Sequence, residues 1–306
     1  MGASSSIPEA KPKATIKPVA TNYVATVKDF TEKRVRSVIV GINYPKTDCS
    51  LRGCINDAQS FSKFLTDRTA KLSEKTNIVF LRDDADPSSV YYPTKENILR
   101  ALRWVYSNAT IADFESPTEG EFNQKSPDGT VIVFYYSGHG SQVYDTSSDE
   151  VDHRDETLCP VTVSGDFDDY IVDDELRSIV ADRVTSGNYS IFFTDCCHSG
   201  SILDLEYSYI SGRFVRSTKY RDTPGTVIHF GACYDRQTAL EGLVEGKSQG
   251  YFTYSLVKAF RPNTKYDLGT LYRLVSNSMV QLVSQREEMP QLSSGAPISM
   301  SSRIPL

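Results

Sequence analysis

The sequence predicts an α/β protein: a mostly parallel central β-sheet with helices on both faces. Three observations carry this. The strand-like runs at 37–42, 77–81, 130–136, 189–194 and 226–233 are continuously apolar rather than alternating, as strands buried on both faces must be. Stretches with helical spacing separate them, the alternation of a parallel sheet with crossover helices. Finally, reactive side chains gather where two of these runs end, at the carboxyl edge where such folds place their sites.

Taken in order, residues 1–33 are rich in Ser, Pro, Ala and Lys without an apolar period, and read as a flexible N-terminal arm. The first strand, 37–42, is broken by Asn43, Tyr44 and Pro45. A helix follows, with Ala58, Phe61, Phe64 and Leu65 on one side. The second strand closes at Arg82, Asp83 and Asp84. Pro93 and Thr94 then open a helix that puts Ile98, Leu99, Leu102 and Val105 on one face. The third strand ends in Ser137, Gly138, His139 and Gly140. After a polar, acidic region, Asp173, Asp174 and Glu175 open another helix, acids at its N-terminus suiting the macrodipole. The fourth strand stops at Asp195, Cys196, Cys197, His198, Ser199 and Gly200. A polar linker at 205–225 precedes the fifth strand, helices at 250–260 and 268–283, and a short last strand near 290–298.

The chain has 306 residues, 39% of them hydrophobic, enough for one large core. A formal charge of −6 argues against general nucleic-acid binding. Six cysteines, two adjacent, do not make a disulfide framework and fit a reducing compartment. No run reaches the roughly 20 apolar residues of a membrane span, and the start lacks the apolar stretch of a secretory signal. A cytoplasmic protein is expected. Gly2 and Ser6 match an N-myristoylation pattern, and Lys11, Lys13 and Lys17 add weak attraction to anionic lipid, so partial membrane association is a second expectation.

His139 and the Cys196–Cys197 pair end two strands that, if adjacent and parallel, bring an imidazole and a thiol to one sheet edge. A thiol attacks only as thiolate and needs a base beside it. Gly138, Gly140 and Gly200 permit sharp turns and exposed backbone N–H groups. A core strand ending in packed thiols is the alternative for the cysteines. Successive strand residues face opposite ways, so only one thiol can face His139. A zinc site on Cys196, Cys197 and His198 is disfavoured, since three consecutive side chains do not converge on one ion.

The two glycine-flanked motifs, Ser137 to Gly140 and Asp195 to Gly200, resemble the His and Cys motifs of metacaspases, the caspase-like cysteine peptidases of protists, fungi and plants. The likeness spans about 36–300 and includes Gly53, Cys54, Asn56, Asp57 and Ala58, then Asp155, Glu156 and Thr157, and late Pro290, Gln291, Leu292 and Ser293. The short linker resembles type I members. The resemblance implies one caspase-like domain over 34–306, with a large-subunit-like part at 34–204, the linker at 205–225 and a small-subunit-like part at 226–306. It implies Cys197 as nucleophile, His139 as base, and backbone N–H groups of Gly140 and Cys197 as the oxyanion hole, with Cys196 a packing residue. Cys54, Asp57, Ser137 and Asp195 match the S1 lining, and two carboxylates there favour cleavage after Arg or Lys. Asp155, Asp173, Asp174 and Asp204 match the family's calcium-binding aspartates; a solvated acidic loop is the bland alternative. Arg213, Arg216, Lys219 and Arg221 become candidate self-cleavage sites.

The expected function is thus a calcium-activated cysteine endopeptidase acting on protein or peptide substrates as a monomer. A paracaspase-like peptidase and a catalytically silent scaffold or sensor are the competing readings. His198 is expected to face away from the chemistry. His153 and His229 read as surface and strand residues without partners, Cys49, Cys159 and Cys233 as packing thiols, and Trp104 as core.

Overall fold

A computed structural model describes residues 34–68, 77–118, 120–145, 153–166, 169–217, 220–235, 237–260, 266–283 and 288–306. The N-terminal arm with Gly2, and the self-cleavage candidate Lys219, lie outside the described residues.

The chain runs β1 (Val35–Gly41), α1 (Cys54–Arg68), β2 (Ile78–Arg82), α2 (Lys95–Val105), α3 (Ile111–Glu115), β3 (Val131–Ser137), β4 (Gly140–Tyr144), β5 (Arg154–Leu158), β6 (Ile171–Val172), α4 (Asp173–Arg183) and β7 (Tyr189–Asp195). It continues with β8 (Tyr207–Ile210), β9 (Arg213–Arg216), β10 (Thr226–Gly231), β11 (Glu241–Val244), β12 (Lys247–Gly250), α5 (Tyr251–Ala259), α6 (Leu268–Leu282) and β13 (Gln291–Ser294).

Eight strands form the central sheet in the order β2-β1-β3-β7-β10-β13-β8-β9. The pairings from β2 through β10 are parallel, and β13 joins antiparallel. Strand alternation divides the apolar side chains between two cores. Val38 and Val40 of β1 and Ile132, Phe134 and Tyr136 of β3 pack with α2, α3 and α4. Val35 and Ile39, with Val131, Val133 and Tyr135, pack with α1, α5 and α6. Phe61 of α1 stacks on Tyr135 at 4.3 Å between ring centroids. Trp104 is core, as its place in the helix indicates, and its ring carries the guanidinium of fully buried Arg36 at 3.9 Å. Arg36 also donates to the carbonyls of Trp104 and Ala109, tying β1 to the carboxyl end of α2. Thr94 caps α2 by accepting from the Asn97 N–H.

Part of the stretch expected as a polar linker, 205–225, is ordered sheet. Strands β8 and β9 form a hairpin that extends the sheet beyond β13. Two smaller sheets, β4-β5-β6 and β11-β12, also have no counterpart in the sequence reading. Their strands are short and carry no continuous apolar run: β4 and β11 are half-exposed, and β5, though mostly buried, is polar from Arg154 to Thr157. His229 needs a further correction: it is a strand residue but not a partnerless one. Fully buried in β10, it meets Thr194 Oγ1 through Nε2 at 2.8 Å and Ser293 Oγ through Nδ1 at 3.4 Å. Burial lowers its pKa to about 3, so it stays neutral.

Candidate active site

Strand order reverses around β1, whose neighbours are β2 and β3, and the crevice at such a switch point is where this architecture binds ligands. Strands β3 and β7 pair in parallel with Ser137 opposite Asp195. His139 and Cys197 each lie two residues further on, which brings them to one edge. Both line a cleft of about 130 Å³, together with Cys54, Asp57, Ser137, Gly138, Asp195 and Gly250. Its remaining wall is Thr238 to Glu241 and Leu51.

The alternation argument assigns the two thiols. Cys196 is buried in the core, whereas Cys197 is half-exposed in the cleft. Burial pushes the Cys197 thiol above its ordinary pKa, opposed in part by a hydrogen bond from the Ala239 N–H. The resting group is therefore a thiol, and attack needs a base. The His139 ring lies Nε2 to the Cys49 carbonyl at 2.6 Å. A carbonyl only accepts, so Nε2 carries the proton and Nδ1 presents a lone pair. Cys49, expected as a packing thiol, is instead exposed, and its contribution is this backbone oxygen. Cys159 and Cys233 are buried, as expected. His198 turns its Nδ1 to the Asp235 carbonyl. His153 is exposed.

Two buried acids form the floor. Asp195 accepts from the Thr253 N–H at 3.0 Å and its hydroxyl at 2.6 Å. Asp57 Oδ2 accepts from the Gly250 N–H at 2.9 Å and from Ser137 Oγ at 3.4 Å. The first turn of α5 thus serves both carboxylates with backbone donors at a helix N-terminus. A Cβ on Gly250 would sit 2.2 Å from Asp195 Oδ2, so only glycine fits there. Burial raises Asp195 to about 6 and, with Asp195 beside it, raises Asp57 well above the usual carboxylate range. Asp57 Oδ1 has no hydrogen-bond partner among the described residues.

Sequence reasoning missed two further acids. Glu241 lines the cleft and accepts from the N–H groups of Arg52 and Gly53. Glu288 is fully buried behind the Thr238–Glu241 wall and accepts from the Leu240 N–H at 3.3 Å. Burial and Asp195 lift it to about 9. Both meet their backbone donors more than 40 residues away in sequence, beyond the reach of any local pattern.

The calcium candidates are partly gathered. Asp155, Asp173 and Asp204 are buried and Asp174 is half-buried. Asp173 accepts from the N–H groups of Glu156 and Asp174, and burial followed by the charge of Asp204 raises it to about 9. All-oxygen donors that repel one another suit a hard cation in chemistry. Among the described residues, however, no three such side chains converge in a metal-holding group. Of the self-cleavage candidates, Arg213 and Arg216 are the two ends of β9, and Arg216 pairs with buried Glu206 at 2.7 Å. Arg221 is exposed and gives its carbonyl to Arg177.

The arrangement is that of a caspase-type fold, and the chain belongs to the caspase-domain family: the model of that domain matches residues 34–298. Its curated relatives are metacaspases. It is 30% identical to metacaspase-1 of Eremothecium gossypii, covering 87% of this chain and 65% of that protein. It is 32% identical to metacaspase-3 of Arabidopsis thaliana, covering 74% of this chain and 59% of that protein. The chain thus spans about 59–65% of the length of these relatives. Among solved structures, caspase-1 of Spodoptera frugiperda shares the fold at a TM-score of 0.51 and 13% identity, covering 94% of this chain and all of that one. A crystallised protein of Geobacter sulfurreducens gives a TM-score of 0.55 at 20% identity, covering 87% and 95%.

Proposed function

We propose that the protein is a calcium-activated cysteine endopeptidase that cleaves peptide bonds after Arg or Lys. The observation that carries this reading is the cleft itself: a thiol and an imidazole at its rim, and two buried carboxylates at its floor, one with an oxygen left without a partner. A guanidinium or ammonium entering there replaces lost solvation for both acids, and Arg can engage a carboxylate bidentately. A caspase pocket for Asp would need bases in these positions.

In the proposed reaction His139 Nδ1 takes the Cys197 proton as sulfur attacks the scissile carbonyl carbon, forming the S–C bond. The carbonyl oxygen gains the negative charge and receives the backbone N–H groups of Gly140 and Cys197. In support, the backbone at Gly140 passes so close that a Cβ there would lie 2.0 Å from the Cys197 carbonyl. The C–N bond then breaks, and the imidazolium protonates the leaving amine. Water, deprotonated by the same ring, releases the acid and restores the thiol. Cys54 and Ser137 complete the S1 wall.

Calcium enters as activator, held by Asp155, Asp173, Asp174 and Asp204. The mutual repulsion of Asp173 and Asp204 is its support. Bound there, the ion supplies charge neutralisation; no catalytic step passes through it.

Hydrolysis of fluorogenic peptides ending in Arg, Lys, Asp or Asn tests the reading, with calcium or chelator and with Cys197→Ala. Calcium-dependent release from the Arg and Lys peptides alone, lost in Cys197→Ala, is expected. Release from the Asn or Asp peptides, or retained turnover in the variant, contradicts it.

A further inference from the structure

The imidazole of His139 is met on its face and at Nε2 by one loop, and that loop hangs on a tyrosine in an unusual backbone state. Tyr44 is fully buried at the carboxyl end of β1 and has φ 51°, a left-handed conformation that a bulky residue adopts only when its surroundings impose it. Its surroundings do so through Asp83, at the end of β2. The Asp83 carboxylate accepts from the Tyr44 N–H at 2.6 Å and from the Asn43 N–H at 3.0 Å. Both donors come from consecutive residues, so one buried acid fixes the turn.

What the turn holds is the histidine. The Tyr44 hydroxyl accepts from the His139 N–H at 2.9 Å and donates to the Cys159 carbonyl at 2.6 Å. The Tyr44 ring lies against the imidazole, with centroids 4.6 Å apart. Tyr136 completes the bracket by donating to the His139 carbonyl at 2.8 Å. Beyond Tyr44 the loop turns through Thr47, whose N–H donates to the Tyr44 carbonyl, and reaches Cys49, whose carbonyl takes the Nε2 proton. The ring face and the tautomer of His139 are thus set from residues 44–49, while its backbone is held by Tyr44 together with Tyr136 and the Cys159 N–H.

We infer that Tyr44, pinned by Asp83, is a positioning residue for His139: it orients the imidazole so that Nδ1 faces the Cys197 thiol. The inference rests on the reading of His139 and Cys197 as a dyad. It adds that the β1–α1 loop, and not only its own strand, aims the base.

The test uses Tyr44→Phe, which keeps the ring and removes the hydroxyl, and Asp83→Asn, which removes the charge. Tyr106→Phe is the control: Tyr106 is also fully buried in the same core, at the carboxyl end of α2, with its hydroxyl on Ser190. Three quantities are read on the full chain: kcat and KM for an Arg peptide, and the rate of Cys197 alkylation by iodoacetamide between pH 5 and 9. Alkylation needs no substrate pocket, so it separates this inference from the specificity reading.

Misaimed catalytic groups cost up to about 100-fold. Tyr44→Phe and Asp83→Asn should lower kcat by about tenfold or more, leave KM within about twofold, and slow alkylation near neutral pH, with Tyr106→Phe unchanged in all three. If the wild type cleaves no Arg peptide yet alkylation shows this pattern, the specificity reading falls and the positioning inference stands. Wild-type alkylation in Tyr44→Phe, or an equal loss in Tyr106→Phe, overturns it. An alkylation profile that His139→Ala leaves unchanged overturns both the dyad and the inference.

Discussion

Asp57 and Asp195 beneath the cleft, and Asp173 and Asp204 beside β5, are two groups of buried acids that differ in what their oxygens face. Burial and a neighbouring acid push Asp57 and Asp173 above the usual carboxylate range. At the cleft, the α5 N-terminus supplies donors to one oxygen of each carboxylate, and both residues line the opening. In the second group, Asp173 places both oxygens on backbone N–H groups inside the chain, and neither Asp173 nor Asp204 lines the cleft. The first arrangement suits a guest that comes and goes with each turnover. The second is the group proposed above to hold calcium. The repulsion between like charges is the same in both; access decides its use.

The strongest way to break this contrast is Gly250→Ala. The new Cβ would sit 2.2 Å from Asp195 Oδ2, and hydrolysis of Arg peptides should fall by about 100-fold or more, the scale of a misplaced binding group. The calcium midpoint should not move. Asp173→Ala should do the reverse: the calcium response flattens and maximal activity drops by about tenfold, while the ratio of Arg to Lys turnover keeps its wild-type value. A calcium titration of each variant checks both.

Acidity separates the groups next. Asp195 titrates at about 6 in the free enzyme. A bound guanidinium favours the ionised form, lowering that value, so binding releases protons. Affinity therefore rises with pH up to about 6 and then levels. The inhibition constant of a peptide aldehyde ending in Arg, measured from pH 5 to 8, should weaken by up to about tenfold per unit below that point. The smallest effect concerns Glu288. Its folded carboxyl titrates at about 9, far above the ordinary value of 4.5. Between those values the folded protein keeps a proton that the unfolded chain has lost, so stability falls as pH rises through this window. Glu288→Gln should flatten that slope and raise the melting temperature at pH 9 by about 2 °C or more, read by calorimetry.

The sheet was legible because β1, β3, β7 and β10 are buried on both faces and must be apolar throughout. Strands β8 and β9 were not, since exposed residues at Ser208, Ile210 and Arg213 interrupt any pattern. At the site, His139, Cys197, Asp57 and Asp195 lie at or near element ends within glycine-containing motifs, which sequence marks. Asp83, Glu241 and Glu288 work through backbone N–H groups brought near only by the fold. Cys49 shows the limit most plainly: its side chain drew attention, while its carbonyl is what the histidine meets.

The central claim is that Asp57 and Asp195 read a cation beside the Cys197 thiol. The direct measurement is the kcat/KM ratio between an Arg peptide and its neutral citrulline analogue, in wild type and in Asp195→Asn. The wild-type ratio should be about 100 or more and fall at least about tenfold in the variant, the scale of a charge-assisted hydrogen bond at about 1.5–3 kcal/mol. A ratio near one in the wild type, or one unchanged by Asp195→Asn, would contradict the account.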